Sequence, residues 1–183
     1  MKKSGFTLIE LIVSIGVISL VTGIFLANYS SANRRSDLTM TTQKMISDIH
    51  MAQNYSLGLT NYGLKDSTNV PLGGWGIHFD LTNDGNQQYV IFADDDGDKL
   101  YSSSTEANLA KGASIITLPR NIIIDSISTG NKTDITFLPP DPITTITGSL
   151  GTSTQADIVL KDQNTNTKKT VRINFLGLAE AID

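Results

Sequence analysis

The sequence contains no cysteine, which excludes disulfide staples, thiolate metal sites and cysteine nucleophiles. Any folded part must stand on core packing alone. Histidine is nearly as scarce. His50 falls in a helical stretch and His78 in a strand-like one, and no motif ties either to a serine or a metal. A histidine without a partner reads as a packed or solvated side chain, so the chain shows no enzymatic machinery. Basic residues are also few. Setting aside Lys2 and Lys3 leaves 12 basic against 18 acidic residues, a balance near −6. A general nucleic-acid surface needs clustered Lys and Arg to displace counterions, and this balance argues against one.

Charge is missing most conspicuously from Phe6 to Ala27, 22 residues that hold one ionisable group, Glu10. As a helix this run reaches about 33 Å, enough to cross a bilayer core. Met1-Lys2-Lys3 precedes it, but no A-x-A-like site follows; the chain continues Asn28-Tyr29-Ser30-Ser31-Ala32-Asn33-Arg34-Arg35. Ordinary signal-peptide cleavage is not expected there. The short lysine leader favours a cytoplasmic start, against which Arg34 and Arg35 pull. With 183 residues, 39% hydrophobic and 17% charged, the remainder has room for one domain.

Apolar residues recur after the run at Leu38, Met45, Ile49, Ala52, Tyr55 and Leu59, steps of 7, 4, 3, 3 and 4 that mark one helix face. Gln43, Lys44, Ser47, Asp48, Gln53 and Asn54 fill the other. The helix is expected to run to about Gly58–Gly63, membrane-like in its first half and amphipathic in its second. Gly16 and Gly23 allow a bend or close helix packing. Met40, Met45 and Met51 read as packing residues.

From Trp75 onward the period becomes two. Strands are expected at 75–81, 88–93, 113–118, 122–127, 134–138, 156–160 and 170–175, separated by polar turns. Pro139-Pro140-Asp141-Pro142 must interrupt pairing. The result is a twisted antiparallel sheet or small sandwich. Asp94-Asp95-Asp96-Gly97-Asp98 reads first as a hairpin turn leading into Lys99-Leu100-Tyr101. Its second reading is a calcium site using Asp94, Asp96 and Asp98, because calcium takes several hard oxygen ligands from a loop. It is not an EF-hand: the sixth place is Lys99, not glycine. Lys168-Lys169-Thr170-Val171-Arg172 is read as the solvated face of a hairpin.

Ser4-Gly5-Phe6-Thr7-Leu8-Ile9-Glu10 resembles the prepilin-peptidase motif of type IV pilins and type II secretion pseudopilins. The resemblance implies cleavage between Gly5 and Phe6 and N-methylation of Phe6. It also implies pairing of Glu10 with the terminal amine of a neighbouring subunit. An ionisable residue in a spanning segment is costly, about 2.5–3.5 kcal/mol on insertion scales, and is usually functional and paired. The order Trp75-Gly76-Ile77-His78-Phe79, Tyr89-Val90-Ile91-Phe92 and an Asp/Gly turn resembles the GspH/FimT branch of minor pseudopilins. So does a final strand ending near a glycine, Val171 to Gly177. FimT-like DNA-uptake members share a basic tail, whereas Gly177-Leu178-Ala179-Glu180-Ala181-Ile182-Asp183 carries two acids and no base.

The implied fold is α+β and type IV pilin-like, a long amino-terminal helix packed on a small antiparallel head. Its expected divisions are a leader (1–5), a transmembrane or filament-core helix (6–27), an amphipathic extension (28–62) and a β-rich head (63–183). Implied partners are a prepilin peptidase, other pilin or pseudopilin subunits and an inner-membrane assembly platform. The implied location is a single pass in the inner membrane with an extracytoplasmic head. No cofactor other than the calcium candidate is implied. Filament subunit is the leading function, and a tip adhesin or DNA-uptake module is the alternative.

Overall fold

The computed structural model describes residues 7–62, 69–82, 85–103, 106, 113–139 and 143–182, with the backbone alone for 27–35. The chain divides into two compact units, Met1–Ser36 and Asp37–Asp183. Helix α1, Leu8–Leu57, contributes to both.

In the first unit, Leu8–Leu26 is long and apolar enough to cross a membrane, with a mean hydropathy of 2.4. All of its residues are exposed. Gly16 and Gly23 have open space where a Cβ would stand. The helix begins on a reciprocal cap between Thr7 and Glu10.

In the second unit, Leu38, Met45, Ile49 and Ala52 of α1 are buried, the face expected from their spacing. Two positions depart from the pattern. Leu59 is 54% exposed and lies beyond the helix, at φ +48°. It occupies the left-handed place of a Schellman cap, with Leu59 N–H donating to the Ser56 carbonyl (3.1 Å) and Thr60 N–H to that of Tyr55 (2.9 Å). The expected extension toward Gly63 therefore stops at Leu57. Asp48, expected on the polar face, is buried, because the Tyr89 hydroxyl donates to its carboxylate at 2.5 Å.

The head has two antiparallel sheets. The first contains β1 (Gly74–Asp80), β2 (Gln88–Asp94), β3 (Ser114–Thr117), β5 (Lys132–Leu138), β6 (Ile143–Gly148) and β7 (Gly151–Ser153), ordered β3-β2-β1-β5-β6-β7. The second contains β4 (Ile122–Ile127), β8 (Gln155–Asp162), β9 (Lys168–Asn174) and β10 (Ala179–Ile182), ordered β10-β9-β8-β4. Period-two alternation supplies one shared core. Trp75, Ile77, Phe79, Tyr89, Ile91, Ile135 and Phe137 come from the first sheet, and Ile122, Ile124, Ile158, Leu160, Val171 and Ile173 from the second. They cluster with Leu38, Met45, Ile49 and Ala52 of α1. Each such buried Ile or Phe contributes about 1.5–3 kcal/mol of transfer free energy.

The end of α1 is tied to the first sheet by Ser56. Its Oγ accepts the Trp75 N–H at 2.7 Å and donates to the Phe137 carbonyl. This close approach requires Gly74, at φ +82°, since a Cβ there would meet the Phe137 oxygen at 2.0 Å.

The α+β architecture is the expected one, and so are most of the strands. Three strands were not foreseen. β6 follows the proline run and pairs Ile143 opposite Leu138; Pro140, Asp141 and Pro142 lie outside the described residues. β7 extends the first sheet. β10 takes up most of the acidic tail as an edge strand on β9. Conversely, Lys99-Leu100-Tyr101 forms no strand. β2 pairs with Ser114–Thr117 instead, so the Asp94–Asp98 turn closes no tight hairpin.

Candidate functional site

Gly5 and Phe6, the expected cleavage and methylation positions, lie outside the described residues. Glu10 lies in the first turn of α1. Its Oε2 accepts the Thr7 N–H at 2.9 Å and the Thr7 hydroxyl at 2.8 Å, while Thr7 Oγ1 accepts the Glu10 N–H at 3.4 Å. Thr7-Leu8-Ile9-Glu10 is thus a capping box, two orphan donors of the first turn satisfied reciprocally. The T-x-x-E spacing was the visible signal for it. The cap fixes a lone carboxylate at the start of an exposed apolar helix, four residues on from the expected new terminus, Phe6.

In the head, acidic side chains gather where β2 ends. Carboxylate oxygens of Asp94, Asp96 and Glu106 lie within 4.8 Å of one another. Asp98, the third residue of the expected calcium set, is not in this group; its Oδ1 accepts the Leu100 N–H at 2.8 Å. Glu106 takes that place, and nothing in the sequence around it gave a signal. Asp94 is 0% and Glu106 2% exposed. Backbone amides satisfy both: Gly97 and Lys99 donate to Asp94 at 2.8 and 3.0 Å, and Asp95 and Ser102 donate to Glu106 at 3.2 and 2.8 Å. Burial pushes the Asp94 carboxyl above its usual range and that of Glu106 up to about 7, with neighbouring carboxylates adding to the rise. Three clustered hard oxygen ligands are chemically able to hold a divalent cation. They also organise the loop without one.

That loop lays Tyr101 over the outer face of the first sheet. The Tyr101 ring lies 4.5 Å from that of His78 and 5.3 Å from that of Phe92, centroid to centroid. His78 Nδ1 sits 2.6 Å from Asp134 Oδ1, its cross-strand neighbour. Among the described residues Asp134 is the one hydrogen-bond partner of that ring. His78 is a packed, satisfied residue.

Three of the basic side chains of the second sheet are held by its own carboxylates. Arg172 grips Asp157 with two hydrogen bonds, 2.8 and 2.9 Å. Lys168 lies 2.6 Å and Lys161 3.7 Å from Asp125. The Arg172 guanidinium holds the Asp157 carboxyl below its usual range, and Lys168 does the same for Asp125. Held in this way, these three side chains are tied to carboxylates of their own sheet.

Comparison with known proteins agrees with the amino-terminal geometry. Residues 1–26 match the family model of the prokaryotic N-terminal methylation motif. Neither a curated protein nor a solved structure matches the chain. Proteins bearing this motif are structural subunits; it implies processing by a prepilin peptidase and assembly with other pilins. The motif opens a long apolar helix, and that helix continues onto an antiparallel β head. On these grounds the chain is a type IV pilin-like protein, a pilin- or pseudopilin-type subunit.

Proposed function

We propose that the protein is a minor pseudopilin or minor pilin of the GspH/FimT kind, serving a type II secretion or type IV pilus-like filament. The observation that carries this reading is the exposed apolar segment Leu8–Leu26 with one carboxylate, Glu10, capped at its start. Residues 1–5 are the leader removed before assembly. Residues 6–27 hold the protein in the inner membrane and later enter the filament core; 28–62 carry that helix on to its end at Leu57 and lead into the head, and 63–183 form the extracytoplasmic head. Glu10 neutralises the methylated Phe6 amine of a neighbour, a pairing favoured because both charges otherwise stand in an apolar core. An inner-membrane assembly platform moves the subunit from one state to the other. The acidic loop at Asp94, Asp96 and Glu106 is proposed as a calcium-responsive brace of the head, replacing the set with Asp98.

A second reading, a filament-tip binding module, draws support from Phe175, Leu176 and Leu178. These are 55%, 67% and 55% exposed in one turn between β9 and β10. The paired basic side chains of the second sheet speak against nucleic acid as the ligand.

Intact mass after coexpression with a prepilin peptidase tests the leading reading. The expected product lacks Met1–Gly5 and has gained one methyl group. An uncut chain, or one cut beyond Ala27, overturns it.

A further inference from the structure

The first sheet ends at β3, and beside that edge the head has an open groove of about 580 Å³. One wall is α1 at Met40, Thr41 and Lys44; the other is Ile116, Leu118 and Pro119. Its floor includes Tyr89, the inward neighbour of Ile116 across the β2–β3 pair.

The ladder shows which backbone groups face this edge. Leu118 N–H donates to the Gln87 carbonyl at 2.8 Å, and Gln88 stands opposite Thr117. Opposed residues of an antiparallel pair alternate between bonded and non-bonded, so Leu118, Ile116 and Ser114 turn their peptide groups toward β2. Ile115 and Thr117 turn theirs away, and no described residue bonds to them.

Sheets usually blunt such an edge with charge, proline, a bulge or extreme shortness. The other three edges here carry such a device. β4 bulges between Ile124 and Ser126, β7 has three residues and starts on Gly151, and β10, four residues long like β3, carries Glu180. β3 reads Ser-Ile-Ile-Thr, with neither charge nor bulge.

We infer that this groove accepts an extended segment of a different polypeptide, which adds to β3 as a further strand. A strand laid about 4.8 Å from β3 satisfies the amides of Ile115 and Thr117 and directs alternate side chains into the groove. Those side chains are mainly apolar, because most of the exposed lining is, Asp37 and Lys44 being its charged members. A helix fits less well: it has no free backbone groups along its length to offer the edge. A second copy is disfavoured by charge. Residues 37–183 hold 17 acidic and 10 basic residues, so two heads repel, and the segment is neutral or basic. The inference stands on the head alone, whether or not the chain enters a filament.

The test uses full-length protein in phosphatidylcholine nanodiscs, with the labelled peptide acetyl-Lys-Val-Thr-Val-Thr-Val-Lys-amide as probe. A permuted peptide, acetyl-Lys-Val-Val-Val-Thr-Thr-Lys-amide, breaks the alternation. Saturable binding of the first peptide is expected, with slowed hydrogen exchange at the Ile115 and Thr117 amides. Thr117→Pro removes a donor the fold does not use, so it is expected to melt as the wild type does and to bind about tenfold or more weakly. Met40→Asp, which puts a charge into the groove and leaves the ladder alone, is expected to weaken binding similarly, and it carries the test should the proline variant melt early. Absence of saturable binding overturns the inference. So does equal binding of the permuted peptide, or binding unchanged in the variants. Protection of Ile115 and Thr117 that rises with protein concentration alone overturns it in favour of a second copy.

Discussion

Glu10 reaches back to Thr7, its carboxylate accepting both the backbone N–H and the hydroxyl of that residue at 2.9 and 2.8 Å. Two roles therefore meet in one side chain, capping the helix and carrying a charge. Ala and Gln replacements separate them. Glu10→Ala removes both, leaving the Thr7 N–H without its carboxylate acceptor. Glu10→Gln retains an acceptor suited to a capping box but carries no charge. If the charge serves assembly, both variants insert in the membrane and neither is recovered in sheared filaments. Normal incorporation of Glu10→Gln would count against charge pairing and leave capping as the function of the residue.

The buried pair Tyr89 and Asp48 is the polar joint between helix and sheet. Asp48 takes the Tyr89 hydroxyl at 2.5 Å and the Lys44 ammonium at 2.7 Å. Burial, reinforced by Asp48, pushes the Tyr89 phenol well above its usual range, so it donates at every ordinary pH. Tyr89→Phe keeps the ring packing against Phe79 and leaves the carboxylate short of one donor. Hydrogen bonds to charged groups are worth about 1.5–3 kcal/mol, so a fall of several degrees in melting temperature is expected. Trp75, the single tryptophan and a buried one, reports the transition by fluorescence. An unchanged melting temperature would mean that water replaces the hydroxyl without loss.

This joint also shows where the sequence stops being legible. The periodicity of Leu38, Met45, Ile49 and Ala52 placed the helix face, and alternation placed the strands around Trp75, Tyr89, Ile122 and Val171. Both are patterns of apolar burial. Asp48 broke the pattern because its burial depends on a phenol 41 positions away, which no local spacing encodes. β6 escaped because Ile-Thr-Thr-Ile-Thr-Gly has few apolar residues and follows prolines. β10 escaped because Ala-Glu-Ala-Ile has little strand preference and pairs only with a formed β9. Glu106 was invisible for a similar reason: the loop assembles its site from residues at both ends. The amino-terminal motif was readable because its chemistry is local.

Leu59 holds a position that glycine usually takes. At φ +48° its Cβ is crowded against the backbone, a strain of about 1–2 kcal/mol for a left-handed non-glycine residue. The side chain is half exposed and returns little by packing. Leu59→Gly is therefore expected to raise stability by roughly 0.5–1 kcal/mol after the entropy cost of glycine. Leu59→Ala keeps the Cβ and is expected to gain nothing. Thermal melts followed through Trp75 distinguish the two, and equal behaviour of both variants would show that the cap carries no strain.

Glu106 gives the head a pH dependence of a definite sign. Its carboxyl is raised from 4.5 to about 7, chiefly by burial, with the charges of Asp94 and Asp96 beside it. The folded state holds that proton more tightly than the unfolded chain. Its contribution is therefore complete below pH 4.5 and is lost as pH rises through about 7. Asp157 works in the opposite sense. Its carboxyl is depressed from 3.8 by Arg172, so its stabilisation is present above that value and disappears as pH falls below it. Melting temperature should thus decline between pH 5 and pH 8, and Glu106→Gln should flatten that decline while leaving the acid limb in place. A decline that persists in Glu106→Gln would assign the effect to another group. Calcium at pH 8 supplies the remaining contrast. If Asp94, Asp96 and Glu106 close on the ion, calcium restores the melting temperature of the wild type and not of Glu106→Gln. If it changes neither, the loop is a turn held by its own amide donors.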